Sequence, residues 1–350
     1  MTVKRVRKVS ENGRDITMTT AKSPIPEYAH FEHNPPIRNR PPLIIMPGLC
    51  LLIFLLVMTG PAQAQDFVSP TRVARMPSGE FIIADSKRQT LTIWDAQSES
   101  VVRVIDAPGR PVSVAFGWDH FFVGNELTQS VDVLNYKKGK LKYILGGKRF
   151  HIRRPSDIAL DIEQGLVFVT DSATGSVLVF DKDGELLRNL PAEGQPPLYR
   201  PTGLAVDPVR GEVLVSDFGD PMNPVATVII YDYNGIQKAS INGSAGCGWF
   251  ACVGNYNFSR PQGLAVNSQG LIYVVDSVLG QVLVFDRETG NGVAVIGEVG
   301  AGPGQLLLPL DLAIGEETDD LYVTSNRNRR IEVFPGKGLL PCLRGLCSNS

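Results

Sequence analysis

Apolar residues in this chain come in short runs, each stopped by a polar or Gly-containing turn. The stretch RPQGLAVNSQGLIYVVD, residues 260–276, shows the outline. It has a Pro, the run GLAV, a polar turn, and a second apolar run that ends on an Asp. Runs this short, rich in β-branched residues and bounded by Gly, Asn, Asp and Pro, predict strands and not helices. Two further runs, VLVF and VAVI, complete the unit, so the pattern predicts four consecutive strands. The outline occurs six times, from Pro70, Pro111, Pro155, Pro201, Pro261 and Pro309, at spacings of 41, 44, 46, 60 and 48 residues. A repeat of this length with four short strands predicts an all-β fold, a six-bladed β-propeller with four antiparallel strands per blade. Gly and Ala in the first strand suit a crowded centre, and Pro at its start costs no ladder bond.

At this level of detail the units resemble NHL repeats. Pro-x-Gly-Leu-Ala-Val, the Tyr-Val-x-Asp ending and the Val-x-Val-Phe strand carry the resemblance, and Asn328-x-Arg330 matches the family's Asn-x-Arg. The likeness covers nearly all of residues 67–335 and is strongest in the third, fifth and sixth units. It implies a six-bladed propeller like those of exported bacterial NHL repeat proteins. Because such propellers include scaffolds, RNA binders and lyases, function has to be argued from a site.

Charge and hydropathy divide the chain. It has 350 residues and a formal net charge of -2, and residues 1–64 hold eight Lys or Arg against four acids. That leaves 26 basic and 32 acidic residues in 65–350, a balance that argues against nucleic acid as a partner. Residues 43–60, LIIMPGLCLLIFLLVMTG, are uncharged, and Ala62-Gln63-Ala64 is a small-x-small cleavage pattern. This reads as a signal peptide cut after Ala64. The alternative is an uncleaved anchor, for which about 18 apolar residues are barely long enough. Either reading places residues 65–350 outside the cytoplasm, periplasmic or extracellular, with membrane contact only through the N-terminal segment. The expected organisation is a leader over 1–64, a propeller over 65–335 and a Cys-containing tail over 336–350. Beyond Cys50, the cysteines form two close pairs, Cys247 with Cys252 and Cys342 with Cys347. An even count in an exported chain favours disulfides, with three connectivities open; a four-thiolate zinc site is the alternative.

A four-stranded meander alternates ends. The Pro that opens each first strand and the turn after each second strand therefore share one face, the proline face. Arg154, Arg200 and Arg260 precede the prolines of units three to five, and Asp171, Asp217 and Asp276 close the matching second strands. Three Arg–Asp pairs within blades are expected, absent from units one and six, where Ser69 and Leu308 precede the Pro. The connection SAGCGWFACVGNYNFSR, residues 244–260, lies on the same face. Its rings Trp249, Phe250, Tyr256 and Phe258, braced by a Cys247–Cys252 bond, suit an interface anchor; the alternative is a cover for a blade edge.

Catalytic groups are sparse. Only His120 and His151 lie beyond the leader, too few for a zinc-dependent lyase. No nucleophile elbow, phosphate-binding Gly loop or metal-protease helix is present. The second residue after each Pro should face the channel mouth: Arg72, Ser113, Asp157, Gly203, Gly263 and Asp311. Asp157 and Asp311, with Glu126 or Asn125, form the set suited to a hard divalent cation; no other cofactor is indicated. The leading expectation is an exported scaffold that binds a protein or peptide partner through the proline face. The alternative is a metal-dependent, lactonase-like hydrolase or lyase at the channel mouth.

Overall fold

The computed structural model describes residues 67–107, 109–146, 152–222, 225–242 and 258–336. No helix occurs among them. The chain is an all-β, six-bladed propeller with antiparallel blades, as the repeat predicts. The first strands are Pro70–Arg75, Pro111–Gly117, Pro155–Asp161, Pro201–Asp207, Pro261–Val266 and Pro309–Ile314. They stand side by side in sequence order, and the sixth adjoins the first, which closes the ring.

Burial explains the strand sequences. A second strand such as Leu166–Asp171 is buried along its whole length. Its two faces pack on different neighbours: Val167 and Val169 face blade 2, whereas Leu166 and Phe168 face blade 4. A strand buried on both faces reads as a continuous apolar run. The outer strand Leu186–Leu190 alternates instead, because one of its faces meets water. The apolar core thus consists of six clusters, one at each seam between blades.

The closing seam joins blade 6 to blade 1 through rings. Phe81 and Tyr322 lie 4.0 Å apart, with Trp94 at 6.2 Å from Tyr322. Phe67 is buried in the same cluster without forming a strand. Among the described residues the sheet of blade 6 has three strands and that of each other blade has four; a further two-stranded ribbon, Glu298–Val299 with Gln305–Leu306, lies between blades 5 and 6 in the chain. The sequence offers two candidates for the outer strand of blade 6: the few residues before Pro70, of which 67–69 form no strand, and residues 339–345, which lie outside the described residues. The Asn-x-Arg signature acts locally. Asn328 donates to the carbonyls of Gly300 (2.9 Å) and Gln305 (3.2 Å), and Arg330 to that of Ala301 (3.0 Å). These bonds hold the turn that leads into blade 6.

Candidate functional site

At the hub the structure brings Arg72, Asp157 and Asp311 together. Arg72 is 5% exposed and reaches across the channel from blade 1. Its guanidinium donates to the carbonyls of Leu310 (2.9 Å), Ser156 (2.9 Å) and Thr202 (3.2 Å), on blades 6, 3 and 4. Its Nε lies 3.4 Å from Asp157 Oδ1. Each carboxylate also staples its blade to the next one. Asp157 accepts from Leu204 N–H (2.9 Å), and Asp311 accepts from Val73 N–H (2.9 Å) across the ring closure. Burial and the charge of Asp157 push Asp311 up to about 8, and burial raises Asp157 as well, so the hub pair holds protons more strongly than free carboxyls do. The remaining channel positions are small for a reason. A Cβ on Gly263 would lie 2.0 Å from Asp311 Oδ1, so a side chain there would drive into the hub.

Glu126 is not part of this group. It pairs with Arg110 at 3.0 Å on the proline face. Asn125 accepts from the Arg110 and Leu127 amides at 3.1 and 3.2 Å, so it holds a turn. The expected set of three cation-binding oxygens is therefore not assembled. No group of three or more His, Cys, Asp or Glu suited to a metal occurs among the described residues.

The blade Asp residues are engaged differently from expectation. Asp217 accepts from the backbone amides of Tyr199 (2.8 Å) and Arg200 (2.7 Å), not from the Arg200 side chain. Asp171 does the same with Arg153 and Arg154 (2.8 and 2.9 Å), and Asp276 with Ser259 and Arg260 (2.7 and 2.9 Å). Because the partner is main chain, residue identity before the Pro is irrelevant. Blade 1, without an Arg, makes the same bonds from Val68 and Ser69 to Asp85, and blade 6 uses Ser325 for Leu307. The Arg–Asp ion pairs do not form. A buried carboxylate that accepts several N–H bonds is satisfied without a cation.

Three guanidinium groups are thereby left over. Arg154, Arg200 and Arg260 are exposed and line one cavity of about 620 Å3 between blades 3, 4 and 5. The cavity is also lined by Ser172, Thr202, Ser259, Gln262, Phe218 and Phe258, with no acid among these residues. The Phe218 ring lies under two of the cations, with Arg200 Cζ 5.7 Å and Arg260 Cζ 5.3 Å from its centroid. Such contacts hold a guanidinium over a ring face without neutralising it. Phe218 departs from the repeat: blades 1, 3 and 5 place Ser86, Ser172 and Ser277 just after the Asp that ends the second strand. Phe258, expected in an interface anchor or as a cover for a blade edge, is 6% exposed and packs on Phe285 at 5.4 Å, so it forms a wall of the cavity. Trp249, Phe250, Tyr256, Cys247, Cys252, Cys342, Cys347 and His151 lie outside the described residues.

Comparisons with known proteins agree on architecture. A family model described as a 6-bladed beta-propeller, DUF5128, matches residues 259–334, which hold blades 5 and 6. Among solved structures, Kuenenia stuttgartiensis hydrazine synthase superposes with a TM-score of 0.56 at 14% identity, covering 77% of this chain and 96% of that chain. At that identity the likeness concerns the fold alone. No curated protein matches the sequence.

Proposed function

We propose that this propeller is a rigid binding module for an acidic segment of a protein or peptide partner, docked on the proline face over blades 3 to 5. The observation that carries this reading is the cavity rimmed by Arg154, Arg200 and Arg260, whose guanidinium groups have no carboxylate partner among the described residues. Arg75, Arg210, Arg287 and Arg330 each have a carboxylate partner; these three do not, and each offers a planar fork of donors that fits a carboxylate. A propeller suits this role because the cavity walls come from three blades fixed by buried seams, so little ordering is needed on binding. We read the repeat as NHL-type on its Pro-x-Gly-Leu-Ala-Val and Asn-x-Arg residues. We read the module as exported on the apolar run 43–60 and the Ala62-Gln63-Ala64 site, which lie outside the described residues.

Arg72 weighs against the channel-mouth hydrolase. Its guanidinium already supplies the positive charge between the hub carboxyls and is tied to three carbonyls. A divalent ion there would have to displace it or sit beside it, at a cost in like-charge repulsion.

The test is a fluorescence-anisotropy titration of residues 65–350 with fluorescein-labelled hexaglutamate and, separately, hexalysine. Hexaglutamate should bind, and its affinity should fall several-fold between 50 mM and 300 mM NaCl as the screening length shortens below about 10 Å. Equal binding of both peptides, or of neither, would refute the proposal.

A further inference from the structure

Gln262 is the second unusual residue of the cavity. It directly follows the Pro of blade 5. At the same position in three other blades a hydroxyl stitches one blade to the next by donating to the following Pro carbonyl. Thr71 donates to Pro111 (3.4 Å), Ser156 to Pro201 (3.1 Å) and Thr202 to Pro261 (3.1 Å). Gln262 makes no such bond. It is 8% exposed, it lines the cavity, and its side-chain amide has no hydrogen-bond partner among the described residues. Its backbone is firmly held, since Ser216 Oγ donates to its carbonyl at 2.7 Å and Gly203 N–H donates to that Oγ at 2.7 Å. A Cβ on Gly203 would lie 1.8 Å from the same carbonyl, so the seam leaves no slack. The residue is buried while its amide group opens onto the cavity, and a carboxamide that bonds no protein group there is placed to bond a ligand group.

Resting on the acidic-segment reading above, we infer that Gln262 reads the main chain of the bound segment while the arginines read its side chains. A carboxamide presents one donor edge and one acceptor edge, and either orientation of the group pairs with a peptide unit through its C=O and N–H. A carboxylate or phosphate offers acceptors only and would use half of that capacity. The arrangement therefore fits an extended peptide with flanking acidic side chains better than a compact polyanion. Arg200 and Arg260, 5.7 and 5.3 Å from the Phe218 ring centroid, would take carboxylates projecting from the segment. Arg154 would take a third, on the blade 3 wall.

Gln262→Thr tests this without threatening the fold, because Thr occupies the same position in blades 1 and 4 and can restore the stitch to the Pro309 carbonyl. Affinities for labelled hexaglutamate and for inorganic tripolyphosphate, a polyanion with no peptide group, are measured on both proteins, with a thermal melt of each. The expected result is an unchanged or raised melting temperature and an approximately tenfold weaker hexaglutamate affinity, the size of losing a two-point hydrogen bond. Tripolyphosphate binding should stay within about twofold, or be absent from both proteins, since it has no N–H to offer the amide. Equal weakening toward both probes would overturn the main-chain role, as would unchanged hexaglutamate affinity. If hexaglutamate does not bind the parent protein, or binds Arg200→Ala/Arg260→Ala as well as the parent, the acidic-segment reading itself fails. Gln262→Leu is the second variant: it removes the amide without adding a stitch, and the same pattern of affinities is expected from it.

Discussion

Arg72 at the hub and Arg200 on the proline face are the same residue type a few positions before or after a blade's Pro, in opposite circumstances. Arg72 is buried, and its donors end on three carbonyls from three blades and beside one carboxylate. Arg200 is exposed, and its guanidinium lies over the face of Phe218 with no ion pair among the described residues. One arginine is committed to the fold and the other is left over from it. What separates them is the number of acceptors that the backbone brings to each. At the hub, six first strands converge and crowd carbonyls together. At the proline face, the acid that could have paired with Arg200 is consumed by amides of its own blade.

The sharpest way to break this comparison is at the hub. Arg72→Met keeps the length of the side chain and removes its charge and donors. It leaves Asp157 buried without its cation and several carbonyls without their donor, and a loss on the order of 3–5 kcal/mol is expected in urea unfolding. A loss within about 0.5 kcal/mol would show that the hub arginine is as dispensable as the peripheral ones. Asp217→Ala comes next. It strips the acceptor from the amides of Tyr199, Arg200 and Gly219, and should cost on the order of 1–3 kcal/mol. If Arg200→Ala costs as much as Asp217→Ala, the side chain is part of the blade cap after all.

A gentler probe of the hub is pH. Asp311 has a raised pKa in the folded protein, so the folded state holds a proton that the unfolded chain has already released. Its contribution to stability is full below the ordinary carboxylate range and is lost as pH rises through about 8. Asp311→Asn mimics the protonated form and can still accept from Val73 N–H. It should flatten the decline in stability between about pH 5 and pH 9, read from melting curves across that range. A decline that persists unchanged in the variant would assign the titration to another group.

Much of the architecture is legible in the sequence, for physical reasons that also mark the limit. Second strands buried on two faces, such as Leu271–Asp276, leave continuous apolar runs, and Pro and Asp mark where each strand begins and ends. Six such outlines specify six blades. The candidate site is legible only in part. Arg154, Arg200 and Arg260 stand out by their recurrence, and the sequence brings them to one face. Pairing them with Asp171, Asp217 and Asp276 is the natural expectation, because a sequence displays side chains and hides the amides that compete for them. The Arg72 plug needs carbonyl positions that no residue name conveys. Phe218 and Gln262 are visible as departures from the repeat, at positions held by Ser in blades 1, 3 and 5 and by Ser or Thr in blades 1, 3 and 4. Their meaning depends on knowing what the usual residue bonds to. In a repeat protein, therefore, the informative positions are those where one unit gives up a bond that its neighbours keep.

The smallest expected effect on stability is also the most direct test of that view. Arg154→Ala/Arg200→Ala/Arg260→Ala is compared with the parent in one paired measurement, a thermal melt and a hexaglutamate titration on the same preparation. If these side chains serve a partner and not the fold, the melting temperature should stay within a few degrees, since surface changes away from structural contacts cost little. Hexaglutamate affinity should fall at least tenfold, as expected when three charge-assisted contacts are removed. A variant that melts far below the parent and still binds hexaglutamate as tightly would contradict the partner-binding role of these arginines.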